Sequence, residues 1–277
     1  MKHLLFLVLA FTIFACQTTK PEEETQENEV DTSIETTENP VATPDPHSFS
    51  QPQESKVTHL NLDLKVDFEQ KKLIGTAAFD LENSPEAEKL ILDTRDLTVN
   101  SVLVDGEKVE FDLGGPVELL GQSLTIPISP DSKKVTVSYE TSPEAAGLQW
   151  LSPAQTDGKK HPFLFSQSQA ILARTWVPCQ DSPGIRMTYE ATLKVPSELF
   201  ALMSATNPQQ KNEEGVYRFK MEQPIPSYLL AISVGDLQFQ ALSDRAGVYA
   251  APSVLDKAAY EFGDLEEMIV AAEELYG

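Results

Sequence analysis

Residues 163–189 concentrate the side chains of this chain that are able to do chemistry. Gln167 and Gln169 offer amide oxygens, and Cys179 offers a thiol. The apolar residues around them follow neither the period of 2 that marks a strand nor the period of 3.6 that marks a helix. Such irregular segments line a site or lock a domain junction, because a plain strand or helix needs only its repeating pattern. A well-packed loop in a β-rich domain is the structural alternative.

Cys179 and the charged residues near it invite a catalytic interpretation that the sequence does not favour. A nucleophilic cysteine needs a positioned histidine, and no such partner lies nearby in the sequence. We therefore expect a buried, unreactive thiol at Cys179. Asp181 and Arg186, five positions apart across a proline, predict an ion pair that braces the loop. Arg174 is a candidate structural anchor.

The same segment and its flanks resemble a known protein family. The matching runs follow one another along the chain: Gly147–Pro153, Gln155–Gly158, His161–Pro162, Phe165–Gln169, Pro178–Pro183 with Arg186 and Tyr189, Ala201–Ala205 and Tyr228–Gly235. This ordered series resembles the leukotriene hydrolase / aminopeptidase N family of zinc aminopeptidases, over residues 57–277. The resemblance implies a large, twisted, saddle-like β domain, followed by the first helix of an α-rich catalytic domain.

The resemblance also implies a role for the two glutamines. In the family, the position of Gln169 bears a Gln or Glu that binds the α-ammonium group of the peptide, and Gln167 matches a neighbouring glutamine of the same site. An amide oxygen is a suitable acceptor for an ammonium group. The implied partners are peptides with a free N-terminus. For Gln167, a strand-edge glutamine bonded to the backbone is an equal alternative.

One zinc ion per full-length enzyme is a further implication, with ligands that this sequence lacks. A helical HExxH motif would supply two histidine ligands and a water-activating glutamate. The histidines of the chain are His3, His47, His59 and His161, and no pair of them has this spacing. The family's Gly-x-Met-Glu-Asn run is also missing. We therefore expect the N-terminal, substrate-lining part of such an enzyme, without catalytic or metal-binding residues and inactive by itself.

The composition excludes one class of partner. The chain has 43 acidic and 21 basic residues, and its formal net charge is −22. Nucleic-acid backbones are bound by basic patches, so we exclude DNA and RNA as partners. The cysteines are Cys16 and Cys179, which are too few for a disulfide scaffold or a four-cysteine zinc site.

Residues 1–16 resemble a lipoprotein-type signal peptide. The apolar run Leu4–Ala15 is shorter than the roughly 20 residues that span a bilayer. It ends in a sequence similar to a bacterial lipobox, although Phe14 stands where the pattern prefers a small residue. We expect a secreted protein anchored to the outer membrane or cell surface through a lipid on Cys16. The alternatives are an ordinary cleaved signal and a periplasmic location.

The amino-acid composition and the spacing of apolar residues divide the remaining chain into three parts. Residues 17–56 are rich in Glu, Thr and Pro and predict a disordered acidic tether, because they bury too little apolar surface to offset the entropy of ordering. Residues 57–245 contain several alternating apolar runs, beginning with Leu60–Phe68, and a tight-hairpin signal at Asp105–Gly106. Many short strands of this kind predict a mainly β fold, an antiparallel sandwich or a large twisted sheet.

Residues 246–277 predict a helix. Ser253, with Asp256 three positions later, is a helix-start signature. Apolar residues then recur every three or four positions up to Tyr276, and Gly263 is a candidate kink. By the resemblance, this segment opens a truncated zinc-peptidase catalytic domain. The alternative is a stand-alone β-rich peptide-binding or adhesive lipoprotein module, whose last helix docks back onto its own sheet.

Overall fold

The structure, a computed structural model, describes residues 45–277. The strands are β1 (Ser55–Asp67), β2 (Lys72–Asn83), β3 (Lys89–Thr94), β4 (Thr98–Val104), β5 (Glu107–Val109), β6 (Asp112–Leu113), β7 (Gln122–Pro127), β8 (Lys134–Glu140), β9 (Leu148–Leu151), β10 (Phe163–Ser166), β11 (Arg186–Lys194), β12 (Phe200–Met203), β13 (Val216–Pro226), β14 (Ile232–Gly235), β15 (Gln238–Ala241) and β16 (Gly247–Ala250). The helices are α1 (Leu255–Glu261) and α2 (Leu265–Tyr276). The predicted mainly β fold is confirmed.

The strands form four sheets. A seven-stranded sheet has the order β13-β11-β1-β2-β8-β4-β5, and a four-stranded sheet has the order β12-β14-β10-β9. Strands β3, β7 and β6 form a third sheet, and β15 pairs with β16. The pair β1–β11 is parallel, whereas the other strand pairs described are antiparallel. Alternation identifies a buried face but not the direction of a distant partner strand, so the sequence did not predict the parallel pair.

Strand β1 shows how the apolar pattern builds the core. Leu60, Leu62 and Leu64 are fully buried, because every second side chain of a strand points to the same face. The pairing with β2 shifts register between Val57 and His59. The bulge adds one residue, so that Val57 and Leu60 are both buried despite their odd separation.

The hairpin between β4 and β5 agrees with the sequence prediction, whereas strand β3 has no counterpart in it. Asp105 and Gly106 connect β4 to β5 with positive φ at both residues, 50° and 92°, as the predicted tight turn requires. Strand β3 was not predicted. Its residues are buried on both faces from Leu90 onward, so its sequence shows a continuous apolar run instead of alternation.

Residues 45–56, which the sequence places in the tether, lie on the folded domain. Ser48 donates from Oγ to Oδ2 of Asp93 at 2.6 Å, and the Phe49 N–H donates to Oδ1 of Asp93 at 2.7 Å. Asp45 accepts a hydrogen bond from Ser182 Oγ at 2.7 Å. The predicted tether therefore overlaps the folded domain, because a polar composition does not reveal hydrogen bonds to distant residues. The predicted signal peptide, Cys16 and the rest of the predicted tether lie outside the described residues.

The C-terminal segment forms two helices where the sequence predicted one kinked helix. Helix α1 begins at Leu255, two residues after the predicted start signal at Ser253, but no side chain caps it. The helical conformation is interrupted between Glu261 and Leu265, and Gly263 lies in this interruption. No residue of α2 is buried. Arg245 forms ion pairs with Glu266 and Glu273 of this helix. Within the described part of the chain, no helix is long and apolar enough to cross a membrane.

Candidate substrate-binding site

The glutamine loop, residues 167–177, follows β10 and carries both predicted substrate-binding residues. The Gln167 N–H donates to the Gly147 carbonyl at 2.9 Å, which continues the pairing of β10 with the start of β9. The loop approaches Gly147 closely: a Cβ added there would lie 2.6 Å from Thr175 Oγ1 and 2.7 Å from the Leu172 carbonyl oxygen. A residue without a side chain is therefore needed at position 147.

Gln167 and Gln169 are both exposed, whereas Ser168 between them is buried. Gln167 accepts a hydrogen bond at Oε1 from the Gln169 N–H at 3.1 Å, so its oxygen is engaged within the loop. This contact fits the alternative interpretation of Gln167 as a backbone-bonded glutamine. No hydrogen bond joins the side-chain amide of Gln169 to another residue in the 45–277 range. Its oxygen is thus free to accept from a ligand, and the substrate-binding roles remain predictions.

Arg174, in the same loop, is the anchor of a buried charge cluster. Its side chain is fully buried, and Nε donates to Oδ2 of Asp181 at 2.9 Å. Arg186 was the predicted partner of Asp181, and that prediction is wrong, because Arg186 lies exposed on β11. Spacing along the chain suggested Arg186 as the partner. The Asp181 carboxylate is buried, however, and the guanidinium that lies close enough to compensate its charge is that of Arg174.

Asp93, on β3, is the second carboxylate of this cluster. It lies 3.7 Å from Arg174 Nη1 and accepts a hydrogen bond from the Asp181 N–H at 2.9 Å. Burial raises the pKa of Asp93, and the Arg174 charge and the hydrogen bonds from Ser48 and Phe49 oppose that rise. No pattern in the sequence identifies Asp93 as a member of this cluster, because its partners are more than 40 positions away.

Cys179 is buried beside the same cluster. Its carbonyl accepts a hydrogen bond from the Asp93 N–H at 2.7 Å. Burial, together with the nearby Asp181 and Asp93 carboxylates, raises the pKa of the Cys179 thiol. The predicted burial of Cys179 is confirmed. A protonated thiol without solvent access is a poor nucleophile, and the lack of reactivity stays a prediction.

The described residues offer no metal centre. Within residues 45–277, no three His, Cys, Asp or Glu side chains are grouped to hold a metal ion. His59 Nδ1 instead lies 2.7 Å from Thr188 Oγ1, across the parallel pair of strands. The residues present therefore do not fit a zinc ion.

A cavity of about 560 Å³ lies away from the glutamines. It is lined by the β9–β10 connection, including His161 and Phe163, and by the segment before α1, including Tyr249 and Pro252. Neither Gln167 nor Gln169 lines it, so the cavity is separate from the predicted ammonium site.

The family of the chain follows from its match to a known domain. The profile of the peptidase M1 N-terminal domain matches residues 56–229, more than half of the chain. The chain belongs to the peptidase M1 N-terminal domain family. The M1 match spans β1 to the turn before β14 and includes the whole glutamine loop. The family resemblance inferred from the sequence is thereby confirmed.

Individual M1 relatives are similar over most of this chain. Leukotriene A-4 hydrolase of Xenopus laevis is 38% identical over 244 residues, which are 84% of this chain and 40% of the relative. Leucine aminopeptidase 2 of Yarrowia lipolytica is 38% identical over 237 residues, covering 83% of this chain and 36% of the relative. The chain thus spans about two fifths of the length of these curated relatives.

A solved M1 structure shares the architecture. Native leukotriene A4 hydrolase from Saccharomyces cerevisiae superposes with a TM-score of 0.79 at 33% sequence identity. The superposition covers 85% of this chain and 38% of the yeast chain. The similarity in sequence and the similarity in fold therefore concern the same part of the larger relatives.

Proposed function

We propose that the chain is the N-terminal, substrate-lining part of a secreted zinc aminopeptidase that removes residues from the N-termini of peptides. Gln169 accepts a hydrogen bond from the α-ammonium group of the peptide. The observation that carries this proposal is the free, exposed amide of Gln169, next to the buried and hydrogen-bonded Ser168. Membership of the M1 family and similarity to a leucine aminopeptidase support the peptide as substrate.

The chemistry of an exopeptidase requires such an acceptor. A free N-terminus differs from an internal amide by its charge and its three N–H donors, and an amide oxygen accepts from those donors. A site that is built to hydrogen-bond a substrate group rejects an analogue that lacks the group. Gln169 therefore favours a peptide with a free amino group over the same peptide blocked by acetylation.

Residues 45–277 do not supply the metal chemistry of the proposed enzyme. Zinc would polarise the scissile carbonyl and activate water, but residues 45–277 do not fit a zinc ion. The contribution of the described residues is to bind and orient the substrate. We propose, accordingly, that the 277-residue chain is inactive by itself.

The proposed location is the bacterial cell envelope. A lipid on Cys16 would attach the mature protein to the outer membrane or the cell surface, with residues 17–44 as spacer. The support is the signal-like apolar run that ends at Cys16.

Peptide titrations of the chain test the role of Gln169. We expect tri-alanine to bind more tightly than Nα-acetyl-tri-alanine, and Gln169→Ala to reduce this preference about two- to tenfold, the range of one net hydrogen bond of about 0.5–1.5 kcal/mol. Gln169→Glu should retain the preference, because a carboxylate accepts more strongly from an ammonium group. The dissociation constants are measured by NMR titration.

Gln223→Ala is the matched control, because Gln223 is an exposed glutamine on β13. It should leave the preference unchanged. Equal binding of the two peptides by the wild-type chain would overturn the proposed function. A wild-type preference that persists in Gln169→Ala would remove Gln169 from it.

A further inference from the structure

Ser168 is the buried residue between the two exposed glutamines. Its exposed fraction is 2%, and its hydroxyl makes hydrogen bonds in both directions. Oγ donates to the Leu230 carbonyl at 2.6 Å and accepts from Trp176 Nε1 at 3.1 Å. Hydroxyls are suited to this position, because a single oxygen both donates and accepts.

One partner of Ser168, Leu230, lies outside the glutamine loop, and the other, Trp176, lies within it. Leu230 lies two residues before β14, in the four-stranded sheet. Trp176 is fully buried, and its carbonyl accepts a hydrogen bond at 3.0 Å from the Tyr139 hydroxyl, on β8 of the seven-stranded sheet. The Ser168 hydroxyl therefore joins the glutamine positions to the segment before β14 and to Trp176, which a separate hydrogen bond connects to β8.

This attachment sets the direction of the neighbouring side chains. The Ser168 carbonyl accepts from the Leu172 N–H at 2.8 Å, which closes the turn after the glutamines. With Ser168 held inward, Gln167 and Gln169 are both exposed, and the Gln169 N–H reaches Gln167 Oε1. A loop that is held in this way loses less conformational entropy when it binds a ligand.

We propose that Ser168 is a positioning residue, which holds Gln167 and Gln169 outward for the ammonium group of the substrate. The inference rests on the proposed function, because the orientation of Gln169 matters only if Gln169 binds the ammonium group. Ser168 itself is buried and does not touch the substrate. Ser168 keeps the loop ordered, and the ordered loop increases the preference for a free amino group.

Substitutions at Ser168 separate positioning from stability. Ser168→Ala leaves the Trp176 N–H and the Leu230 carbonyl without this partner, so the loop loses its bond to the segment before β14 and one internal bond to Trp176. Ser168→Thr keeps the hydroxyl and adds one buried methyl group, which lowers stability by overpacking while retaining both hydrogen bonds. Ser55→Ala is the matched control, since Ser55 is another buried serine, and its Oγ donates to Asn83 Oδ1 at 2.8 Å, outside the loop.

Two measurements on the 277-residue chain decide the proposal. The first is the ratio of affinities for tri-alanine and Nα-acetyl-tri-alanine, and the second is the hydrogen-exchange rate of the Gln169 backbone amide. Ser168→Ala should lower the affinity ratio about two- to tenfold and accelerate the exchange. Ser168→Thr and Ser55→Ala should leave both quantities at the wild-type value, even where the melting temperature falls.

The outcomes distinguish this proposal from the proposed function. Wild-type values of both quantities in Ser168→Ala would overturn the positioning role. If the wild-type chain has no preference for the free amino group, the proposed function fails, and the exchange of the Gln169 amide alone decides whether Ser168 orders the loop. If the alanine variant does not fold, Ser168→Cys, with a weaker donor and acceptor of similar size, is judged by the same two measurements.

Discussion

Arg174 shows how a single residue holds several segments together. Its Nη1 donates to the Leu120 carbonyl at 3.0 Å, and its Nη2 donates to the His47 carbonyl at 2.8 Å. With Nε on Asp181, every nitrogen of the guanidinium has a partner. The planar fork of arginine makes such contacts in several directions at once, which a lysine ammonium does not reproduce. The Arg174 side chain therefore joins the glutamine loop to the segments that contain His47 and Asp181.

Removal of this side chain is predicted to be strongly destabilising. Arg174→Met should lower the free energy of unfolding by about 3–5 kcal/mol, because the buried Asp181 carboxylate would lose its charged partner. Arg186→Met is the matched control and should change the free energy by less than about 0.5 kcal/mol, because Arg186 is exposed. Urea unfolding measures both values. Equal effects of the two substitutions would contradict the Arg174–Asp181 pairing.

At the scale of elements, the contact between β1 and β2 depends on a glycine. Gly75 on β2 pairs with Leu64 on β1 and with Tyr139 on β8, so it lies inside the seven-stranded sheet. A Cβ added at Gly75 would lie 1.9 Å from the Asp63 carbonyl oxygen. The obstacle is backbone, which cannot rotate away as the end of a flexible side chain does.

Gly75→Ala is therefore predicted to loosen the β1–β2 pair. The expected loss is at least about 1–3 kcal/mol of unfolding free energy, the usual cost of overpacking. Gly158→Ala is the control, because nothing lies within 4 Å of an added Cβ at that position. Urea unfolding gives the stability, and amide exchange of β1 residues locates the change. A Gly75→Ala variant as stable as the control would show that the two strands separate at little cost.

At the scale of the whole molecule, the chain is predicted to be a binding part without its own catalytic metal. The purified 277-residue protein should contain no stoichiometric zinc, because its described residues group no metal ligands. It should also release no amino acid from aminoacyl-anilide substrates. Elemental analysis and a colorimetric assay, calibrated with a zinc-loaded aminopeptidase, measure these properties. One tightly bound zinc ion per chain would refute the proposed inactivity.

The attachment of the whole molecule to a membrane is a separate prediction. Expressed in a bacterium with residues 1–16 in place, the protein should partition into detergent and begin at a lipid-modified Cys16. Cys16→Ala should move the protein to the aqueous phase, whereas Cys179→Ala should not, because the Cys179 thiol is buried. Mass spectrometry of the N-terminus identifies the modification. An unmodified Cys16 retained in a soluble protein would exclude the lipid anchor.

The sequence by itself determined the features that depend on local order. Alternation in Leu60–Phe68 predicted β1, Asp105–Gly106 predicted the hairpin between β4 and β5, and the ordered motifs predicted the family. A strand period and a turn conformation are properties of a few neighbouring residues, so they are visible without a partner. The buried thiol of Cys179 was predicted for a similar reason, since no catalytic partner accompanies it.

Tertiary structure alone decided which distant groups meet. Asp181 pairs with Arg174 and not with Arg186, Asp93 joins them from β3, and the Ser168 hydroxyl bridges Leu230 and Trp176. The parallel direction of β1 and β11 is of the same kind. Buried charges and hydroxyls are satisfied by whichever groups packing brings within hydrogen-bond distance, and that distance has no local signature in the sequence.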